Sequence, residues 1–197
     1  MSHFDAPAEP IGTFLSWYEE AVRAGAPFAD AMTLATATPS GRPSARIVLY
    51  KGMVDGKVTF VTNFDSRKGR ELAQNPFAAL VFFWPVLGRQ VRFEGAIERA
   101  PDELSDRYFA ARDRDSQLGA WASRQSAPIA SRAELEAAVE RESARFAGRE
   151  VERPANWGML LLVPERVELW KSAEHRLHDR FAYRRVGERW QCQRLSP

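Results

Sequence analysis

Hydrophobic and polar positions along the chain follow two rhythms. From Ile11, the apolar residues Phe14, Leu15, Tyr18 and Val22 recur at helical spacing, and Gly25 with Pro27 supplies a stop. This predicts an amphipathic first helix behind a loose segment, 1–10. From Ala31 the period shortens: AMTLATA, SARIVLYK and VTFVTN are short segments rich in β-branched or aromatic residues, separated by the turns PSGRP and MVDGK. Three sequential antiparallel strands fit them best. SRKGRELAQN at 66–75 reads as a helix with Ser66 as N-cap and Asn75-Pro76 as its end, followed by the strands FAALVFFW and RQVRFEGAIER. PDELSDRYFAARDRDS begins with Pro at a first helical position, and SRAELEAAVERESARF carries the capping box Ser131 to Glu134. Both are expected as helices on the outside of the sheet. The chain then returns to strands with WGMLLLV, RVELWK and the hairpin HDRFAYRRVGERWQCQRL, turning at Val186-Gly187-Glu188. The series is mainly β with helices, an α+β chain whose strands form an antiparallel barrel or sandwich, with one domain over 11–197.

Composition narrows the function classes. With 197 residues, 45% of them hydrophobic, the chain can bury a sizeable core. The 28 basic and 26 acidic residues leave a formal charge of only +2, which disfavours wholesale nucleic-acid binding. Lysine occurs only at 51, 57, 68 and 171, so a lysine inside a polar motif stands out. Cys192 is alone, which excludes an internal disulfide and points to a reducing cytoplasm. The apolar run at 77–88 is broken by Pro85 and is shorter than the roughly 20 residues that span a bilayer. MSHFDAPAEP lacks the basic start and apolar core of a signal peptide, so a cytoplasmic protein with no membrane role is expected.

Several motifs can carry chemistry. In TNFDSRK, 62–68, a strand feeds a helix through Ser66, Arg67 and Lys68, and a helix N-terminus with a hydroxyl and two cations makes a phosphate cradle. A capped surface helix with solvated charges is the plain alternative. ARIVLYK places Arg46 and Lys51 on opposite faces of a strand, either for two different anions or as the charges that defend a sheet edge. If the helix through RYFAARDRDSQ is continuous, Tyr108, Arg112 and Ser116 share one face and offer three donors to a second phosphate; an exposed helix laced with ion pairs fits equally. Gln90 on a strand, and Gln125 with Ser126 in a polar loop, can read the edge of a heterocycle.

WKSAEHRLHDR, 170–180, holds two of the three histidines. A metal bound by His175 and His178 would have to recruit Glu174 or Asp179, since no other histidine or cysteine cluster is present. Strand alternation instead places Arg176, His178 and Arg180 on one face, a floor suited to an anionic aromatic ligand.

Taken together, RIVLYK, TNFDSRK, RQVRFEG, RYFAARDRDSQLGAWASRQS, ELW, EHRLHDR and the final RLSP, in this order from roughly Pro10 to Pro197, resemble the pyridoxine (pyridoxamine) 5'-phosphate oxidase family. These are FMN enzymes that make pyridoxal 5'-phosphate. The resemblance implies an FMN-binding split β-barrel of antiparallel Greek-key type, with FMN held at a homodimer interface and each site built from both chains. It implies FMN contacts at Arg46 and the strand residues after it, and at Val61, Thr62, Ser66, Arg67, Lys68, Gln90, Gln125, Ser126, Trp170 and Arg180. It implies substrate contacts at Lys51, Tyr108, Arg112, Ser116, Arg176 and His178, with Arg176 and His178 orienting the reacting carbon and no metal. The implied substrates are pyridoxine 5'-phosphate or pyridoxamine 5'-phosphate with O2. Six Trp and twelve Phe are more aromatic surface than one small barrel readily hides, in keeping with an obligate dimer; a large aromatic core is the other explanation. Two positions depart from the family pattern: Val61, where an aromatic residue is common, and the N-terminal segment, which lacks the Arg that helps cover the substrate in some members. Rival readings are a flavin oxidase of the same barrel acting on another ring, such as the phenazine-forming relatives, and a non-catalytic carrier of FMN or pyridoxal phosphate.

Overall fold

The structure, a computed structural model, describes residues 4–197. The first helix, α1 (Pro10–Arg23), starts where Pro10 fixes its φ and the Glu9 carboxylate accepts the free amides of Ile11 and Gly12 at 2.6 and 2.7 Å. Its buried face carries Phe14, Trp17 and Ala21, while Leu15 and Val22 are exposed, so the apolar stripe is rotated from the one the sequence suggested. Phe14 sets its ring 4.9 Å from both Phe82 and Phe93 at the centre of the barrel. The segment ahead of α1, expected to be loose, is held from Phe4 onward. Phe4 packs on Trp17 and Phe181, and the Tyr183 hydroxyl donates to the Pro7 carbonyl at 2.8 Å. The rest of that segment, residues 1–3, lies outside the described residues.

The strands are β1 (Ala31–Ala37), β2 (Pro43–Leu49), β3 (Met53–Val54), β4 (Lys57–Asn63), β5 (Phe77–Trp84), β6 (Arg89–Arg99), β7 (Trp157–Lys171), β8 (Asp179–Val186) and β9 (Arg189–Arg194). They form one antiparallel sheet in the order β2-β1-β5-β6-β7-β4-β3, with β8 and β9 added beyond β7. β1 and β2 make the expected hairpin, but β4 does not extend it. β4 crosses to pair with β7, from Val58 opposite Leu162 to Asn63 opposite Trp157. Tyr50 and Lys51 lie beyond the end of β2, where the Lys51 amide donates to the Thr59 carbonyl at 2.9 Å.

β7 accounts for the split barrel. The sequence pattern predicts two strands, WGMLLLV and RVELWK, on either side of Pro164-Glu165; the structure joins them into one strand of 15 residues with a bulge opposite Glu94 and Gly95. One edge pairs with β6 from Leu160 to Lys171, whereas the other pairs first with β4 and then with β8. The fit at the bulge needs a glycine, since a Cβ on Gly95 would lie 1.9 Å from the Val163 carbonyl oxygen.

Helix α2 (Arg67–Gln74) follows β4, with Ser66 as the expected N-cap. Three helices separate β6 from β7: α3 (Asp102–Ala110), α4 (Arg114–Ala122) and α5 (Arg132–Arg145). Pro101 is the N-cap of α3, one position before the place expected for it. A single helix through 101–116 was expected, but the chain breaks after Ala110 because the Asp113 carboxylate accepts the Ser116 amide at 2.8 Å and starts α4 anew. Ser131 caps α5 by accepting the Glu134 amide at 3.2 Å, and Glu134 accepts in return from Ala130. Phe109, Leu118, Phe146, Val151 and Trp157 form a cluster of their own beneath α3 to α5. Most of the aromatic residues pack inside one chain, among them Phe60, Phe82, Phe93, Trp17 and Trp84, so the large aromatic core explains most of the aromatic content.

Candidate active site

The turn from β4 into α2 gathers cations. Ser66 is fully buried and its hydroxyl accepts the Gly69 amide at 3.2 Å, holding the helix start in place. Gly69 must lack a side chain, because its Cβ would fall 2.1 Å from the Phe64 carbonyl oxygen. Lys68, 8% exposed, donates to the Gln125 side-chain oxygen at 2.8 Å and to Ser66 at 3.3 Å. Burial, with the like charge of Arg46 nearby, lowers its ammonium from the usual range to about 8. Among the described residues no carboxylate pairs with it. Arg46 lies on the core side of β2, opposite Leu34, and donates to the Thr36 hydroxyl at 2.7 Å and the Leu34 carbonyl at 3.2 Å.

Beside this cluster is a cavity of about 370 Å³ lined by Val61, Thr62, Arg112, Ser116, Gln125 and Trp157 among others. Gln125 belongs to both places, since it accepts from Lys68 and from the Thr62 hydroxyl at 3.5 Å. The Arg112 guanidinium lies 4.9 Å over the Trp157 ring, and Tyr108 stacks on the same ring at 6.3 Å. The Arg112 Nη1 atom is buried without a hydrogen-bond partner, a costly state for a guanidinium unless an anion completes it. Tyr108, Arg112 and Ser116 therefore meet around Trp157 although the helix expected to align them is broken.

The other candidates stand elsewhere. Gln90, Trp170 and Arg180 are direct cross-strand partners on β6, β7 and β8, and their neighbours Val91, Leu169 and Phe181 fill the core, so the three make one row on the outer face. His178 stands 4.7 Å from the Trp170 ring, and its Nδ1 accepts the Ala173 amide at 3.1 Å. Arg180 is held by Glu168 at 2.7 Å. The alternating strand expected over 176–180 begins only at Asp179. Glu174–Arg176 is a 3₁₀ turn in which His175 and Arg176 have φ of 55° and 63°, leaving Arg176 exposed. No group of three or more His, Cys, Asp or Glu suited to a metal occurs among the described residues. Asp179 pairs with Arg194 at 2.5 Å. Lys51 stands apart from both clusters, 3.6 Å from Asp30, and Ser126 is exposed with a φ of 70°.

Residues 18–146 match the family described as pyridoxamine 5'-phosphate oxidase, and residues 157–197 match its pyridoxine 5'-phosphate oxidase C-terminal dimerisation region. The chain belongs to the pyridoxamine 5'-phosphate oxidase family. Curated relatives named pyridoxine/pyridoxamine 5'-phosphate oxidase include one from Rubrobacter xylanophilus, 53% identical over 98% of this chain and 88% of the relative, and one from Burkholderia thailandensis, 51% identical over 98% and 91%. Among solved structures, PhzG from Burkholderia lata, in complex with tetrahydrophenazine-1-carboxylic acid, superposes with a TM-score of 0.91 at 31% identity, covering 98% of this chain and 95% of that one. A pyridoxamine 5'-phosphate oxidase-related, FMN-binding protein from Nostoc punctiforme has a TM-score of 0.77 at 19% identity, over 98% and 100% of the two chains, and supports the split-barrel fold. No helix among the described residues is long and apolar enough to cross a membrane.

Sequence reasoning missed Thr36, Ser44 and Glu71, which contact Arg46, and Trp157, on which Arg112 and Tyr108 rest. Thr36 and Ser44 are direct partners across the β1–β2 hairpin, so a register for that hairpin would have found them.

Proposed function

We propose that the chain is an FMN-dependent oxidase that converts pyridoxine 5'-phosphate or pyridoxamine 5'-phosphate to pyridoxal 5'-phosphate. O2 is reduced to H2O2, and the amine substrate also takes up water and releases ammonia. The observation that carries this reading is a pair of anion-seeking groups joined through Gln125: Lys68 without a carboxylate on one side, and Arg112 with its buried unpartnered nitrogen on the other. Two phosphoesters, one on the cofactor and one on the substrate, fit that pair.

The residues present suit FMN, because a buried ammonium at a helix N-terminus gains from a phosphate what burial takes away. Arg46, Ser66, Arg67 and Lys68 would hold the phosphate, with Val61, Thr62, Gln90, Gln125, Ser126, Trp170 and Arg180 around the rest. When bound, FMN supplies the capacity to accept two electrons from the substrate carbon and pass them to O2. Arg112, Ser116 and Tyr108 hold the substrate phosphate, and Lys51, which stands apart from them within one chain, would join them only from the other copy of a dimer, while Arg176 and His178 orient the pyridine ring and exclude water from its reacting carbon.

The same reading requires a homodimer. Thr62 faces Gly158 near the start of β7 and Trp170 lies twelve residues further along, roughly 40 Å of strand, far beyond the length of one FMN. A partner copy brings its Gln90–Trp170–Arg180 row to this chain's cradle. Ile47, Leu49 and Phe83, exposed on the same outer face, supply apolar area for it to cover.

An oxygen-electrode assay with pyridoxine 5'-phosphate, pyridoxamine 5'-phosphate and unphosphorylated pyridoxine tests the proposal, with aldehyde absorbance followed in parallel. The phosphorylated compounds should consume O2 and form the aldehyde. Arg112→Ala should raise KM by roughly ten- to a hundredfold with modest loss of kcat, whereas Arg176→Ala should lower kcat as well. Yellow protein that consumes no O2 with any of them would point to a carrier. The likeness to PhzG favours one second reading, oxidation of a reduced phenazine carboxylate. That substrate carries a carboxylate and no phosphate, so O2 consumption with it and none with the two phosphorylated compounds would favour this second reading.

A further inference from the structure

Glu71 lies one turn inside α2, only 6% exposed, beneath the cation cluster. It accepts the Thr36 and Ser44 hydroxyls at 2.5 Å each and the Arg67 Nε–H at 2.9 Å, and stands 3.4 Å from the Arg46 guanidinium. Arg46 closes the ring by donating to Thr36 and Ser44. Three elements, β1, β2 and α2, are thereby tied at one carboxylate. A buried carboxylate adds little net stability compared with an apolar residue of its size, so fold stability is a poor reason for its presence.

We propose that Glu71 is the positioning residue of the cofactor-phosphate cradle: it fixes the directions of Arg46 and Arg67 and cancels one of three positive charges, leaving a balance suited to a phosphomonoester dianion. Arg46, Arg67 and Lys68 against one carboxylate leave two positive charges, and a phosphomonoester carries about −1.5 to −2 at neutral pH. Burial alone would push the Glu71 carboxyl up, but hydrogen bonds from Ser44 and Thr36, then from Arg67, outweigh it and hold it down at about 2, so it is charged at neutral pH. Arg46 and Arg67 then form the rigid half of the cradle, and Lys68, bound only to neutral groups, the half that responds to the ligand.

This inference rests on the FMN reading above, and the test separates the two. FMN and riboflavin, which differ only by the phosphate, are titrated by fluorescence quenching into flavin-free wild type, Glu71→Ala and Glu71→Gln. Wild type should prefer FMN; if it does not, the cofactor reading itself is wrong. Glu71→Ala should bind FMN about tenfold more weakly with riboflavin affinity unchanged, because only the phosphate's anchors are disturbed. Glu71→Gln should lie between the two. If Glu71→Ala loses preference while Glu71→Gln keeps it, the hydrogen bonds position the cations and the charge-matching half is wrong. An unchanged FMN-to-riboflavin ratio in both variants, or tighter FMN binding, overturns the proposal. Should Glu71→Ala fail to fold, Glu71→Gln still decides the charge-matching half, and a Thr36→Val, Ser44→Ala double variant, which removes the hydroxyls that hold the carboxylate, decides the positioning half; an unchanged FMN-to-riboflavin ratio in both overturns the proposal.

Discussion

Lys68 makes the sharpest prediction for a single side chain. Its ammonium is lowered to about 8 by burial first and by Arg46 second, with neutral Ser66 and Gln125 as its direct partners. The charged form is therefore disfavoured in the folded, ligand-free protein. Stability should rise with pH between about 8 and the ordinary lysine value of roughly 10.5, because the unfolded chain binds the proton there and the folded one does not. A phosphate reverses the balance by favouring the ammonium, so FMN binding above about pH 8 must be accompanied by proton uptake. FMN affinity should fall as pH rises from 7 to 9.5, by up to about tenfold per unit. Calorimetry in two buffers of different ionisation enthalpy reads the proton directly; equal heats at pH 9, or a Lys68→Met variant with the same pH profile, would remove Lys68 from the cradle. Ser66, Arg67 and Lys68 were legible in the sequence because a helix cap and two adjacent cations are contiguous. Glu71 was not, since four residues after Arg67 it reads as half of an ordinary surface ion pair, and only the docking of α2 against Thr36 and Ser44 buries it.

Among the secondary-structure elements, β7 shows where pattern reading stops. Its proline and following glutamate look like a break because local signals cannot tell a loop from a bulge; the distinction depends on whether β6 supplies a partner with no side chain. Gly95 is that partner, so Gly95→Ala should displace two central strands and cost about 2–3 kcal/mol. For a chain of this size the loss lowers Tm by roughly 5–10 °C. Gly41 has a φ of +79° with nothing near its missing Cβ, so Gly41→Ala meets backbone strain alone, about 1 kcal/mol. Thermal melts of the two variants check the ranking, and similar Tm values would mean that the bulge is not a tight contact. The break between α3 and α4 escaped sequence reading for a related reason. Asp113 satisfies both a continuous ion-paired helix and a new N-cap, and the packing of Leu118 with Phe109 and Phe146 selects the cap. The consequence for the site is small, because Trp157 gathers Tyr108 from α3 and Arg112 from the break itself.

At the scale of the whole molecule, the candidate residues fall into two sets toward the two ends of β7. The cradle and cavity lie near the start of β7 and inside the β1–β2 hairpin, whereas Gln90, Trp170, His178 and Arg180 lie toward its far end on the outer face. If each site takes one set from each subunit, two variants that are inactive alone should repair each other. A cradle variant, Arg67→Ala with Lys68→Met, and a far-end variant, Arg176→Ala, are co-expressed with different tags. In their heterodimer one site inherits both defects and the other inherits none. Random pairing makes half the dimers mixed, so activity should return to about a quarter of wild type, and to about half in heterodimers purified through both tags. Sites contained within single chains would stay inactive in every mixture, since no exchange of partners could bring an intact Arg176 to an intact Lys68. The outcome turns on geometry alone: the defects lie at opposite ends of a 15-residue strand that no single flavin spans.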